Sequence, residues 1–533
     1  MSLKLFVNGY IHTFDEDVPY ATAVAVQHGR IVEVGESDRI LYKYKHDAAD
    51  IIDLRQGTVL PGLTDSHMHL IAHGQKLKAL DFSACQSAQE MRALLEEKVR
   101  QTPQGEWILG LGWNENNFPD KKIFTKEELD DISSTHPIFL TRICGHAYLA
   151  NSKAMKISDI SDRTPDPSGG KIMRDQQGQP TGLFLEQAGL LIYQHVPDES
   201  YDDLKEALQL AIKDCWRLGI TGCHTEDVRY TGSYLRTMQL FQEVIREERH
   251  PFRVHELVYH DYLEEYVASG DTYGSGDLYI EAGAVKIFAD GAMGGRSALL
   301  KQPYSDDPST NGVAIHSPER LKDIVAKARL YHLPVAVHTI GDLALDMTLD
   351  ALEDHPVSAG QIDRIIHAQV LDQTLLERLQ KLPVVVDIQP RFVASDFPWI
   401  AERLGPDRLP WSYAWKTLLE GQVACAGGSD APIEPVNPLL GMHAAVARTV
   451  PGEAPHEGYG PEQKLTMNEA VKLFTVGSAY AERKTELKGS IKKGKLADFT
   501  VINKNIFHTH NVDDLLTTEV IMTIVNGTVV YQA

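Results

Sequence analysis

Two histidines separated by one residue, His67 and His69, close the segment Gly57-Thr58-Val59-Leu60-Pro61-Gly62-Leu63-Thr64-Asp65-Ser66-His67-Met68-His69-Leu70. Side chains of a strand alternate faces, so positions i and i+2 project the same way. Two imidazoles on one face can grip one metal ion while Met68 turns aside. A bare His-x-His pair is more often a satisfied pair in a turn, but further donors follow here. Four later apolar, β-branched runs each end in a residue able to bind metal: Lys286 after Ala284-Val285, His338 after Pro334-Val335-Ala336-Val337, His367 after Arg364-Ile365-Ile366, and Asp430 after Val423-Ala424-Cys425-Ala426-Gly427-Gly428-Ser429. Metal ions held beside one carboxylate could together supply a nucleophile at neutral pH, a Lewis acid and a proton shuttle.

Such donors act together only if the elements carrying them end on one face. Eight candidate strands fall around 60–66, 219–225, 253–259, 284–289, 334–338, 364–367, 384–389 and 423–429. Helical patterns sit between them, as in Leu204-Lys205-Glu206-Ala207-Leu208-Gln209-Leu210-Ala211-Ile212. Eight alternating units are what a (β/α)8 TIM barrel requires, and its C-terminal strand ends are the face that carries chemistry. The barrel is expected over 61–485. Residues from about 75 to 200 are too many for one crossover and hold two more apolar runs, 107–113 and 138–143, so they read as a subdomain inserted after barrel strand one. Both termini read as short strands with bends at Asn8-Gly9, His28-Gly29 and Asn526-Gly527. Segments 1–60 and 486–533 are therefore expected to build one small composite β-sandwich.

The first-strand segment resembles the signature of the amidohydrolase superfamily. Gly112-Trp113-Asn114, Gly145-His146-Ala147-Tyr148-Leu149-Ala150-Asn151-Ser152, Gly182-Leu183-Phe184-Leu185-Glu186, Lys286-Ile287-Phe288-Ala289-Asp290-Gly291, His338-Thr339-Ile340-Gly341-Asp342 and His367-Ala368-Gln369 resemble the amidohydrolase-3 branch, which includes N-substituted formamide deformylases, and the segment 489–498 resembles the family's re-entry into the composite β domain. The resemblance implies a metal-dependent hydrolase of a small-molecule amide or formamide, working by attack of a metal-bound hydroxide. It implies zinc as the cofactor, with two ions: His67, His69 and Asp430 on one, His338 and His367 on the other, and Lys286 bridging them as a carbamate. An unmodified ammonium has no lone pair and would repel the ions. Unbridged, Lys286 would be a buried lysine paired with an acid such as Asp290. Asp430 would carry the proton to the nitrogen. His224 is placed as an oxyanion or supporting residue, and Trp113, Arg142, His146, Asp342 and Gln369 as candidates for the substrate pocket. The chain departs from the branch at Cys223-His224-Thr225-Glu226, where His-Asp is usual, so the acidic partner of His224 is open. The rivals are a mononuclear deaminase of a cyclic amidine, which would not need Lys286, and a metal-stabilised binding or regulatory protein. A homo-oligomer, a dimer, is implied as well.

Over the 533 residues, 74 acidic against 52 basic side chains give a net charge of -22. That charge opposes phosphate backbones and anionic lipid, so neither nucleic acid nor a membrane is an expected partner. Cys85, Cys144, Cys215, Cys223 and Cys425 show no Cys-x-x-Cys spacing and no disulfide framework. With no long apolar run and no secretory leader pattern, the expected location is cytoplasmic.

Overall fold

The computed structural model describes residues 3–142, 146–167, 169–454, 456–509 and 511–533. Ile143, Cys144 and Gly145, which fall in or beside the motifs above, lie outside the described residues. The chain divides into two compact units, Met1–His73 with Leu208–Ala533, and Gly74–Ala207.

The first unit holds a TIM-like barrel of eight strands: β1 (Leu63–Met68), β2 (Ile220–Thr225), β3 (Arg253–Tyr259), β4 (Ile280–Phe288), β5 (Val335–Thr339), β6 (Asp363–His367), β7 (Val384–Ile388) and β8 (Ala424–Gly427). Each pairs in parallel with the next. Every strand expected from the sequence is present. The sheet closes through backbone bonds from Asp430 N to His67 O and from His69 N to Ala431 O, both 2.7 Å. Strands covered on both faces need not alternate, and β7, Val-Val-Val-Asp-Ile, is buried throughout. Inside the barrel Leu257, Ala284, Ala336 and Ile366, from four consecutive strands, form one apolar cluster. Helices return the chain between strands. One of them, Pro318–Leu330, begins with proline and is capped by the Ser317 side chain accepting from Arg320 N.

Strands from both termini form two further sheets. One runs Arg30–Gly35, Ala23–Gln27, Leu3–Val7, Ala48–Asp53, and the other Thr528–Gln532, Val520–Val525, Phe499–Ile502, Thr58–Pro61, Tyr10–His12, Tyr20–Ala21. Phe6 and Val24 from the first sheet share an apolar cluster with Val59, Phe499, Val501 and Ile524 from the second. The bends at His28-Gly29 and Asn526-Gly527 have positive φ at both residues, 54° and 72°, 53° and 71°, the requirement of a tight type I′ hairpin.

The second unit is a six-stranded sheet in the order Gly170–Arg174, Pro180–Glu186, Ala147–Ala150, Ile138–Arg142, Ile108–Trp113, Leu80–Asp81, with its own apolar cluster around Phe82, Leu95, Trp113 and Leu140. Among the described residues no helix is long and apolar enough to cross a membrane.

Candidate metal centre and active site

The His-x-His pair ends β1, and Asp430 follows β8 beside it. His67 Nε2 and His69 Nε2 lie 3.4 and 3.5 Å from the same Asp430 oxygen, and the three candidate donor atoms fall within 4.8 Å of one another. A charge-assisted hydrogen bond is shorter, about 2.7–2.9 Å. Two donors on a tetrahedral zinc ion stand about 3.3 Å apart. The three side chains thus converge on a point rather than on each other, which fits a metal ion. His69 Nδ1 lies 2.9 Å from the Glu226 carbonyl, so Nδ1–H donates there and Nε2 keeps its lone pair. That carbonyl is itself fixed: buried Glu256 accepts from Asp227 N at 2.8 Å and Val228 N at 3.2 Å. A Cβ at Gly428 would stand 2.6 Å from His67 N, so only glycine lets the barrel edges close here. Burial alone would raise the Asp430 carboxyl, but the adjoining His67 and His69 rings outweigh it and hold it well below the usual carboxylate range.

His338 on β5 and His367 on β6 face each other with Nδ1 and Nε2 2.9 Å apart. Their outer nitrogens decide what this contact is. His338 Nε2 lies 3.1 Å from the Gly291 carbonyl, and His367 Nδ1 lies 2.6 Å from Gln389 Oε1. The Gln389 amide is oriented in turn, because its Nε2 donates to Asp387 O at 2.9 Å. Both outer nitrogens are therefore donors, and in neutral rings both inner nitrogens are bare lone pairs. Two lone pairs at this distance repel unless a cation lies against them. His367 and Asp430 also have φ of 79° and 59°, the left-handed region that residues other than glycine rarely adopt.

Lys286, on β4, is fully buried with Nζ 3.2 Å from His67 Nε2 and 4.9 Å from the Phe288 ring centre. Among the described residues no carboxylate lies within 4.0 Å of it. Asp290 is engaged elsewhere, accepting from Leu299 N, Ile340 N and Gly341 N at 2.8, 3.0 and 2.8 Å. Burial pushes the Lys286 amine down to about 7, so a neutral amine is available near neutrality.

The remaining candidates lie in varied surroundings. His224 pairs in register with His255, and His255 with Glu281, five residues before Lys286, so it sits deeper in the barrel than the rim donors. Its Nε2 bonds Glu482, which also accepts from Lys488 at 2.5 Å. Asp342 accepts from Lys301 N at 2.8 Å, and Gln369 accepts from the Tyr413 hydroxyl at 3.3 Å. In the second unit Trp113 is buried, with the Arg142 guanidinium 5.8 Å from its ring and 2.9 Å from Glu115; exposed His146 lies 3.0 Å from Glu186. Sequence reasoning missed Gln389, Glu226, Glu256 and Glu482. Gln389 could have been found as the first side chain past β7, whereas Glu482 sends no local signal.

Comparison with known proteins agrees with this geometry. Residues 50–531 match the model of the amidohydrolase family. The chain belongs to that family. This amidohydrolase is 45% identical to the amidohydrolase YtcJ of Bacillus subtilis over 98% of either chain. It is 27% identical to the N-substituted formamide deformylase of Arthrobacter pascens, over 99% of this chain and 98% of that one. A solved metal-dependent hydrolase from Pyrococcus horikoshii OT3 superposes with a TM-score of 0.80 at 29% identity, covering 95% of this chain and 99% of that one. Family and neighbour together support a hydrolase that depends on metal.

Proposed function

We propose that this amidohydrolase cleaves the C–N bond of a small amide or formamide using two divalent ions, zinc by first expectation. The observation that carries the reading is the pair of facing lone pairs on His338 and His367, 2.9 Å apart, set by Gly291 and Gln389 and relieved by a cation. His67, His69 and Asp430 would hold the first ion, and His338 and His367 the second. Lys286 would help to hold them once its neutral amine has added carbon dioxide and given up a proton to solvent, leaving a carbamate anion. When bound, the ions would polarise the scissile carbonyl and acidify a water molecule.

Asp430 is ionised at neutral pH, so it is ready to accept the proton of the attacking water. It then releases that proton to the departing nitrogen, which turns a poor amide leaving group into an amine. The carbonyl of Glu226 and the amide of Gln389 hold the ligand rings in their metal-binding tautomers throughout. A formamide or related acyl amide is favoured as substrate by the likeness to the Arthrobacter deformylase. The two terminal sheets are read as one small β-sandwich, and the enzyme as a cytoplasmic dimer.

The test is metal analysis after mild dialysis, together with turnover of N-formyl amines, N-acyl amino acids and cyclic amides by zinc-loaded protein. About two equivalents of metal and chelator-sensitive release of amine are expected. One equivalent, with deamination of a cyclic amidine, would replace the reading.

A further inference from the structure

The chain between β4 and the helix Pro318–Leu330 is one long connection, and its start is tied into a strap. At the base Gly291 N donates to Ser297 O at 3.2 Å and Ala298 N to Ala292 O at 3.1 Å; at the tip Arg296 N donates to Met293 O at 3.1 Å, a turn with Gly294 and Gly295 at its centre. The base presents the Gly291 carbonyl that meets His338 Nε2. The tip is fastened from the far side. Arg403, in the last turn of the helix Phe392–Leu404 after β7, donates through Nη1 to both Met293 O and Gly294 O, with its guanidinium 4.3 Å from the Trp399 ring centre. In the barrel β5 and β6, which carry His338 and His367, lie between β4 and β7. Strap and helix therefore join two elements that flank the second candidate ion site.

The strain in this strap and its glycines fall at different places. Arg296 has a φ of 52°, in the left-handed region, and two bonds to Asp306 at 3.2 and 2.7 Å hold it there. Gly294 and Gly295 stay outside that region. A Cβ at Gly294 would meet nothing within 4 Å, and one at Gly295 only Ser297 Oγ at 3.6 Å. Neither backbone nor space demands glycine here, because a turn without left-handed central residues accepts most side chains. Two adjacent glycines nevertheless cost conformational entropy to order. Met293 anchors the tip: it is 1% exposed, with its sulfur 3.9 Å from the Tyr304 hydroxyl.

We propose that residues 293–296 are a hinged strap whose opening lets the second ion enter and leave, and that Arg403 is its latch, a positioning residue of that ion site. Closed, the strap holds the Gly291 carbonyl on His338 Nε2, which keeps Nδ1 bare for metal. Open, Gly294 and Gly295 take up backbone that other residues adopt only at a cost, Arg296 relaxes and Met293 leaves its pocket. The Gly291 carbonyl is then freed, and His338 loses the acceptor that fixes its tautomer. The inference rests on the two-ion reading for what is held, and adds the device that holds and exchanges it.

Amide hydrogen exchange at Ala292, Arg296, Ser297 and Ala298, all bonded within the strap, reports its opening. Zinc-loaded protein mixed with excess chelator in stopped flow reports the departure of each equivalent of metal. Gly294→Ala combined with Gly295→Ala fits the closed turn but not the open one. Exchange and loss of the second ion should therefore both slow about four- to thirtyfold, with no fall in melting temperature. Arg403→Met should speed both about tenfold or more while the first ion leaves at its usual rate. Arg403→Lys, which can still donate to both carbonyls, should restore most of the protection. A lower melting temperature in the double-alanine protein, exchange unchanged in it or in Arg403→Met, or equal effects of Arg403→Met on both ions would overturn the inference. If exchange responds as stated but only one equivalent of metal ever binds, the hinge stands and the two-ion reading fails.

Discussion

Replacing Gln389 by methionine should weaken the proposed second metal site, at His338 and His367, without touching the proposed first one. Gln389 is 1% exposed, and its Oε1 takes the Nδ1 proton of His367 at 2.6 Å. Methionine fills the same space but accepts no such bond. With metal bound, His367 must keep Nε2 bare, so Nδ1–H is left buried and unpaired, at about 1–3 kcal/mol. Without metal the ring can shift its proton to Nε2 and donate to His338 Nδ1 across the existing 2.9 Å contact, which stabilises the metal-free form by about 1 kcal/mol. The two effects add to about 2–4 kcal/mol, roughly thirty- to several-hundred-fold in affinity. Competition against a chromophoric chelator, titrating apoprotein through its first and second equivalents, measures both sites. The reasoning fails if Gln389→Met binds the second equivalent as tightly as the unsubstituted protein while keeping its melting temperature.

Asp430→Asn should lower kcat by orders of magnitude while His67 and His69 retain much of the metal; near-normal turnover in a steady-state assay would remove Asp430 from proton transfer. Lys286→Met should stabilise the metal-free protein. Burial holds the folded-state amine at about 7, against about 10.4 in the unfolded chain, so the unfolded state binds the proton more tightly. That penalty on folding is complete below pH 7, shrinks as pH rises between the two values and is gone above them. Thermal melts from pH 6 to 10 should therefore show a gain in Tm that fades with rising pH, and a constant gain would contradict the assignment. Glu256→Leu should loosen the first metal site about tenfold by freeing the turn that presents the Glu226 carbonyl to His69, whereas Glu256→Gln, which still accepts from both amides, should not. Equal chelator competition by the two variants would refute that role.

The barrel and the convergence of its donors were legible because both follow from local pattern. Apolar β-branched runs set the strands, parallel pairing puts their C-terminal ends on one face, and a donor just past a run must then lie at the rim. His224 obeys the same local rule yet lies deeper, because depth depends on how strands are staggered around the barrel. Register shifts between Cys223 and Thr225 and between Glu256 and Val258 alter that stagger, and neither leaves a mark in composition. The acid beside His224 was equally hidden, since Glu482 comes from 258 residues further on. Gln389 and the Glu226 carbonyl show another limit: tautomers are set by whichever acceptor meets the outer nitrogen, and a backbone carbonyl has no signature at all.

The strand Thr58–Pro61 lies between Tyr10–His12 and Phe499–Ile502, and next to it Leu63 N donates to the Thr500 hydroxyl, 437 residues away. A ribosome adding about 5–20 residues per second needs roughly twenty to ninety seconds to supply that partner. Through that interval Val59 and Leu60, fully enclosed in the finished molecule, are an unpaired apolar edge on a nascent chain. The first barrel strand, with both histidines, hangs directly from that edge. Yield of active enzyme in a cell is therefore expected to depend on holdase capacity and translation speed more than on the stability of the completed barrel.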